Sequence, residues 1–137
     1  VQPAAGDAGG ALGASLIFWH SHLNKERTIN IDDDMKGSFL GPEYSQNQIE
    51  KELQEAGAKF KVLNYQDLID KTVDLLIDNA AIGWFQGRME FGPRALGGRS
   101  ILGDPRSEKM QKNLNLKVKY RESFRPFAPA ILTHDIL

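Results

Sequence analysis

The sequence of 137 residues has no cysteine. Disulfides and thiolate metal sites are therefore excluded. It also has no apolar run long enough for a membrane helix and no signal-peptide pattern, so the expected location is the cytoplasm. Histidine is scarce, at three residues. His20 and His22 are one residue apart and fall on different faces of a helix, a poor arrangement for shared metal ligation. His134 has no partner nearby in the sequence. No Ser-His-Asp set is present. What remains, 41% hydrophobic and 26% charged residues, is ordinary for a soluble globular protein of one compact domain.

The net charge of −1 conceals an asymmetry. Residues 1–82 carry 7 Lys+Arg and 13 Asp+Glu, giving −6, and residues 83–137 carry 10 and 5, giving +5. A basic second half points to an anionic partner. The bases concentrate in Gly83–Arg106 (GWFQGRMEFGPRALGGRSILGDPR) and Lys117–Pro129 (KVKYRESFRPFAP). These hold Arg88, Arg94, Arg99, Arg106, Lys117, Lys119, Arg121 and Arg125 among glycines and prolines. Arginine grips phosphate or carboxylate through a planar fork, and a shaped loop holds such forks better than a solvated helix face. Gly92–Leu96 reads as a short helical turn ended by Gly97-Gly98, whose N-terminus would add backbone N–H groups to an anion site. The alternative is that the arginines are surface residues paired with Glu90, Asp104 and Glu122.

These two strings, with the opening VQPAAGDAGGALGASL, resemble the C-terminal region of the NodU/CmcH-type O-carbamoyltransferases. The resemblance implies the end of an actin/sugar-kinase-like domain over residues 1–24, a linker over 25–44, and a YrdC-like domain over 45–137 that is truncated at its end. It implies an α/β fold, an open mixed sheet with helices. It implies that carbamoyl phosphate and ATP are combined as carbamoyl adenylate, and that the carbamoyl group passes to a hydroxyl of a small metabolite. Asp7 then matches an acidic ligand of a divalent metal, Fe or Mg, whose histidine ligands belong to the domain that precedes residue 1. Gly9 and Gly10 would let a nucleotide approach the backbone. From the residues alone, Asp7 is equally a helix cap. The family string commonly has Asn at Gly98 and Ala at Gly103, so this chain is expected to have a looser loop.

The expected anion clamps are Arg94 and Arg125. Arg99 and Ser100 follow as a further anion contact and a hydroxyl donor, and Arg88 and Lys119 after them. Arg106 and Arg121 are equally read as structural ion pairs. Phe124 and Phe127 are expected to anchor their segment in the core and so fix Arg125. A nucleic-acid-binding or purely structural module is the alternative function. Against nucleic acid, the bases sit in Gly/Pro turns and no aromatic stacking pattern interleaves with them. This region alone is expected to be catalytically incomplete without its N-terminal domain.

Elsewhere the sequence predicts structural elements. Ala11–Leu23 has helical apolar spacing. Asp32-Asp33-Asp34 reads as a solvated charge run. Ser45 and Gln48 match a capping box before a helix that Gly57 ends. Gln66–Asn79 and Ser107–Leu116 read as helices, the former with Leu68, Ile69, Val73, Leu76 and Ile77 inward. Lys59–Leu63, Ala81–Phe85, Ser100–Leu102 and Phe127–Leu132 read as strands.

Overall fold

The computed structural model describes residues 4–136, apart from the side chain of Asp7. The strand tail expected at Val1–Ala5 therefore lies mostly outside the described residues, and Ala4–Gly6 form a turn. The fold mixes helices with one small sheet. In chain order it comprises α1 (Asp7–Ile17), α2 (Gln46–Glu55), α3 (Tyr65–Ile77), β1 (Ile82–Phe85), β2 (Arg99–Leu102) and α4 (Met110–Asn113). α1 runs on into a wider π turn at Phe18–His22, and α4 into another at Leu114–Val118.

β1 and β2 pair as an antiparallel two-stranded sheet, and just past β1 the N–H of Gln86 donates to the Gly98 carbonyl at 2.9 Å. The other two predicted strands do not form. Lys59–Leu63 and Phe127–Leu132 are irregular, because an alternating pattern becomes a strand only where a neighbouring edge supplies its ladder. Among the described residues the sheet stops at β1 and β2, and neither segment pairs with their outer edges. The chain divides into two compact units, one of residues 1–60 and 84–100, the other of 61–83 and 101–137.

In the first unit, the cap of α2 is the one its sequence specifies. The Ser45 hydroxyl accepts the Gln48 N–H at 3.4 Å, and the Gln48 side chain accepts the Ser45 N–H at 2.8 Å. Gly57 follows the helix at φ +67°, the left-handed conformation that glycine adopts without steric cost. The aspartate triplet is more than a charge run, since Asp33 accepts the N–H groups of Met35 at 2.9 Å and Gly37 at 2.7 Å and so shapes a turn. Residues 38–42 then bond along residues 89–91. Phe91 N–H donates to Ser38 O at 2.6 Å, Gly41 N–H to Met89 O at 2.8 Å and Met89 N–H to Pro42 O at 2.9 Å. A Cβ on Gly41 would lie 2.8 Å from that of Met89, which explains glycine there.

In the second unit, α3 is capped by Asn64, whose side chain accepts the Asp67 N–H at 2.9 Å. Its expected inward face is largely open, with Leu68, Val73 and Ile77 all exposed and Thr72 the buried position. α4 and its π turn bury Met110 and Leu114, as the spacing predicts. Gly103 packs against them, and a Cβ there would come 2.8 Å from Met110 Cγ. Among the described residues the buried hydrophobic side chains are Ala4, Met110 and Leu114, whereas Ser38, Thr72, Glu90, Asp104 and Asn115 are buried polar ones. Hydrogen-bonded polar groups therefore carry much of the job of fixing the loops, although Ser38 Oγ and Glu90 Oε2 are buried without a hydrogen-bond partner among the described residues.

Replacing Ser45 with Ala removes one half of the capping box. The expected cost is about 1 kcal/mol of stability, read as a lower midpoint in urea denaturation.

Candidate functional site

Glu90 sits inside the first arginine loop, 3% exposed. Its Oε1 accepts three backbone N–H groups, from Leu96 at 2.6 Å, Gly98 at 2.7 Å and Arg99 at 3.3 Å. Its Oε2 lies 3.4 Å from Arg99 Nε. Arg99 also donates through Nη2 to the Gly92 carbonyl, closing the loop on itself. Burial pushes the Glu90 carboxyl upward, but the N–H groups of Glu90 itself, Leu96, Gly98 and Arg99 outweigh it and hold the carboxyl below its ordinary 4.5.

This geometry replaces the expected helical turn at Gly92–Leu96. The segment is a series of bends, with Gly92 at φ +99° and Gly97 at φ +108°. Its converging amides grip the chain's own Glu90. Gly98 serves close approach here and not looseness, since a Cβ on it would lie 2.8 Å from the Arg88 carbonyl oxygen.

The other bases of the first string divide by partner. Arg88 donates through Nη1 to the Gly41 carbonyl at 2.7 Å and through Nη2 to Glu43 at 3.0 Å. Arg94 is exposed and, among the described residues, has no hydrogen-bond or ion-pair partner. Ser100 is half-buried on β2. Gly9 is buried within α1, and Gly10 is exposed with open space where a Cβ would stand. Asp7 is the first residue of α1, with Gly6 at the cap position before it. The Asp7 side chain lies outside the described parts.

In the second unit, Arg106 forks onto Asp104, with Nε at 2.9 Å and 3.0 Å from the two carboxylate oxygens and Nη2 at 2.7 Å. The Arg106 guanidinium and then its backbone N–H hold the Asp104 carboxyl low, and Asp104 in turn raises the Arg106 guanidinium. Lys119 is exposed. Arg125 is exposed too, and its Nε lies 3.1 Å from Glu122. The Glu122 carboxyl is held low first by its own backbone N–H, then by Arg125, with a smaller pull from the charge of Arg121.

The expected anchoring of Arg125 by Phe124 is corrected, for Phe124 is 74% exposed. The backbone is held from beneath by amides. Asn115, fully buried, donates to the carbonyls of Ser123 at 3.2 Å and Arg125 at 2.8 Å. Gln111, one helical turn earlier, donates to those of Phe124 at 3.2 Å and Arg125 at 3.1 Å. Among the described residues no three His, Asp or Glu side chains come together as a metal site. His20 Nδ1 instead contacts the Lys25 carbonyl at 2.8 Å, and the His22 ring stacks on Phe18 at 4.8 Å.

A family model described as carbamoyltransferase C-terminus matches residues 73–136. Over those residues the chain resembles the C-terminal region of carbamoyltransferases. Synechocystis sp. protein sll1178 is 53% identical over 138 residues, taking in 99% of this chain and 22% of its own length. Nodulation protein NolNO of Sinorhizobium fredii is 42% identical over 135 residues, covering 98% of this chain and 19% of its own. Nodulation protein U of the same species is 47% identical over 64 residues, 47% of this chain and 11% of its own length. The chain thus spans about a fifth of the length of the first two of these relatives. No helix among the described residues is long and apolar enough to cross a membrane.

Sequence reasoning named Glu90 as an ion-pair partner, which its contact with Arg99 bears out, but missed its grip on the backbone amides, and it missed Gln111 and Asn115 altogether. The signal for Glu90 was available, since it is the only acid between Gly83 and Gly103.

Replacing Glu90 with Gln leaves an acceptor for the amides but removes the charge facing Arg99. The expected loss is roughly 1–3 kcal/mol in denaturant unfolding at neutral pH. Because the folded Glu90 carboxyl lies below 4.5, its contribution is complete above that pH and disappears as pH falls through the folded value. Acid melts of the Glu90→Gln variant should therefore converge on wild type at low pH, and a gap that persists there contradicts this account. Gly98→Ala should destabilise more than Gly103→Ala, because the former meets backbone and the latter the flexible Met110 side chain. Thermal melts of the two variants decide it.

Proposed function

We propose that this region is the cationic C-terminal part of an O-carbamoyltransferase. In the full-length protein carbamoyl phosphate is hydrolysed to carbamate and inorganic phosphate. A carbamate oxygen attacks the α-phosphorus of ATP and displaces pyrophosphate to give carbamoyl adenylate. The carbamoyl group then passes to a hydroxyl of a small metabolite, with release of AMP and the hydroxyl proton. The observation that carries the reading is Arg94. It stands exposed and unpaired among the described residues, on a loop whose shape is fixed by a buried carboxylate. A cation held without a counter-ion on a braced loop is ready for an anionic ligand. The resemblance to carbamoyltransferases supplies the chemistry that such a cation would serve.

Carbamoyl phosphate and ATP are dense in negative charge. Reaction at the α-phosphate needs cations where charge builds up, and no side-chain nucleophile. Arg94 is a contact to phosphoryl oxygens in this reading; Arg125 and Lys119 are candidate anion contacts in their own right within the second unit. The pairing of Arg88 with Glu43, Arg99 with Glu90 and Arg106 with Asp104 favours a bracing role for those three. A purely structural reading therefore holds for them, while Arg94 stands outside it.

In the same reading the fold is YrdC-like, and α1 closes an actin/sugar-kinase-like nucleotide domain. Gly10 fits a nucleotide neighbour, since nothing lies within 4 Å of where its Cβ would stand, whereas Gly9 is buried within α1. A divalent metal, Fe or Mg, would take Asp7 as one ligand and the rest from the N-terminal domain. It would supply a fixed positive charge beside the nucleotide. That domain and the acceptor alcohol are the partners this reading requires, and the cytoplasm is its compartment.

The test is carbamoyl-phosphate-dependent release of pyrophosphate from ATP by the full-length protein. Arg94→Ala should lower kcat/KM by about 10²- to 10³-fold, the usual effect of losing one charge-stabilising donor, with an unchanged melting temperature. A wild-type protein that releases no pyrophosphate, or an Arg94→Ala variant at full rate, would sink the proposal.

A further inference from the structure

Three consecutive residues, Lys36, Gly37 and Ser38, have φ of +47°, +64° and +75°. Glycine takes such angles freely, but a residue with a Cβ is strained there. Ser38 is unfavourable in a second way. It is fully buried, and its hydroxyl has no hydrogen-bond partner among the described residues. Local bonds hold the turn together. Asp33 accepts the N–H groups of Met35 and Gly37, and the Ser38 N–H donates to the Met35 carbonyl at 2.7 Å. They leave unexplained why serine stands where glycine would fit without strain.

What the turn does is deliver the Ser38 carbonyl to the arginine loop. That oxygen accepts the Leu40 N–H at 2.9 Å and the Phe91 N–H at 2.6 Å. Met89 is then bonded through both its N–H and its carbonyl, to Pro42 and Gly41. Arg88 bridges the Gly41 carbonyl and Glu43, and the rings of Tyr44 and Phe85 stand 6.4 Å apart. Residues 36–44 therefore clasp residues 85–91 at several successive points. The bends that carry Arg94 begin at Gly92, so this loop has two feet. The clasp holds the first. Glu90 holds the second through Leu96, Gly98 and Arg99.

We propose that residues 36–44 are a strained clasp that sets the position of Arg94, with Ser38 and Glu43 as its positioning residues. Backbone in an unfavourable conformation, around a buried hydroxyl without a partner, persists only where its surroundings dictate it. Here the surroundings are the first foot of the arginine loop. Glu43 and Arg88 are both about half-exposed, and such a pair adds little to overall stability. Its contribution is direction, since it fixes how the chain enters the loop. The consequence for activity rests on the functional reading above, in which Arg94 meets phosphoryl oxygens. The clasp itself does not.

The test uses the full-length protein and two readouts, amide hydrogen exchange of the arginine loop and carbamoyl-phosphate-dependent pyrophosphate release. Glu43→Ala should speed exchange at residues 88–95 by about 3- to 5-fold, the equivalent of one exposed ion pair, with an unchanged melting temperature. It should lower kcat/KM by about 10-fold, as small misplacements do, and Glu43→Gln, which still accepts from Arg88, should recover most of that loss. Ser38→Gly removes the strain and the unpartnered hydroxyl, so it should melt no lower than wild type and yet lose activity. In an Arg94→Ala background neither substitution should lower the rate further, whereas a merely structural defect would add to it. Unchanged loop exchange in Glu43→Ala, full activity in Ser38→Gly, or losses that add to that of Arg94→Ala each overturn the clasp. Faster loop exchange in Glu43→Ala, in a protein whose wild type releases no pyrophosphate, overturns the functional reading and keeps the clasp.

Discussion

The first unit depends on one carboxylate meeting three backbone N–H groups. Glu90 has left water, and an unpaired charge there would be costly. It persists because Leu96, Gly98 and Arg99 deliver their amides to one of its oxygens and the Arg99 guanidinium faces the other. The glycines on either side make the delivery possible. Gly92 and Gly97 take backbone conformations that side chains resist, and Gly98 passes too near the Arg88 carbonyl to carry a Cβ without a shift. Positive charge in this loop is thereby sorted, with Arg99 folded inward onto Glu90 and Arg94 left outward.

The second unit solves the same problem with a neutral residue. Asn115 is as buried as Glu90, yet it spends its amide on two carbonyls and one guanidinium. The difference matters electrostatically. A carboxylate that braces an arginine also cancels its charge, as Glu90 does for Arg99 and Asp104 for Arg106. An amide and an aromatic ring brace Arg121, whose Cζ lies 4.9 Å from the centre of the Phe127 ring, and leave its charge intact.

The local elements were legible in the sequence because their causes are local. The Ser45–Gln48 box, Gly57, the strand at Ile82–Phe85 and the burial of Met110 and Leu114 all follow from residues within one or two turns of each other. The sheet was not, since a strand needs an edge whose position the pattern at Lys59–Leu63 or Phe127–Leu132 does not contain. The arginine strings marked the resemblance to the carbamoyltransferases. They did not reveal which arginine is paired, because pairing with Glu43 or Glu90 depends on contacts made across the fold. Glycine density was read as looseness, whereas at Gly98 it permits tight approach. The amides expected to await an outside anion are filled from within.

Met110 is 4% exposed, with its thioether pressed against Gly103. A chain without thiols is commonly taken to be indifferent to oxidants. Here the sulfur is only hidden. The sulfoxide would add a polar oxygen where even a Cβ on Gly103 would lie 3.0 Å from the sulfur, so the closed form resists the reaction and a transiently opened form would be trapped by it. Oxidative damage in this region is in that sense a record of how often the α4 segment lifts away.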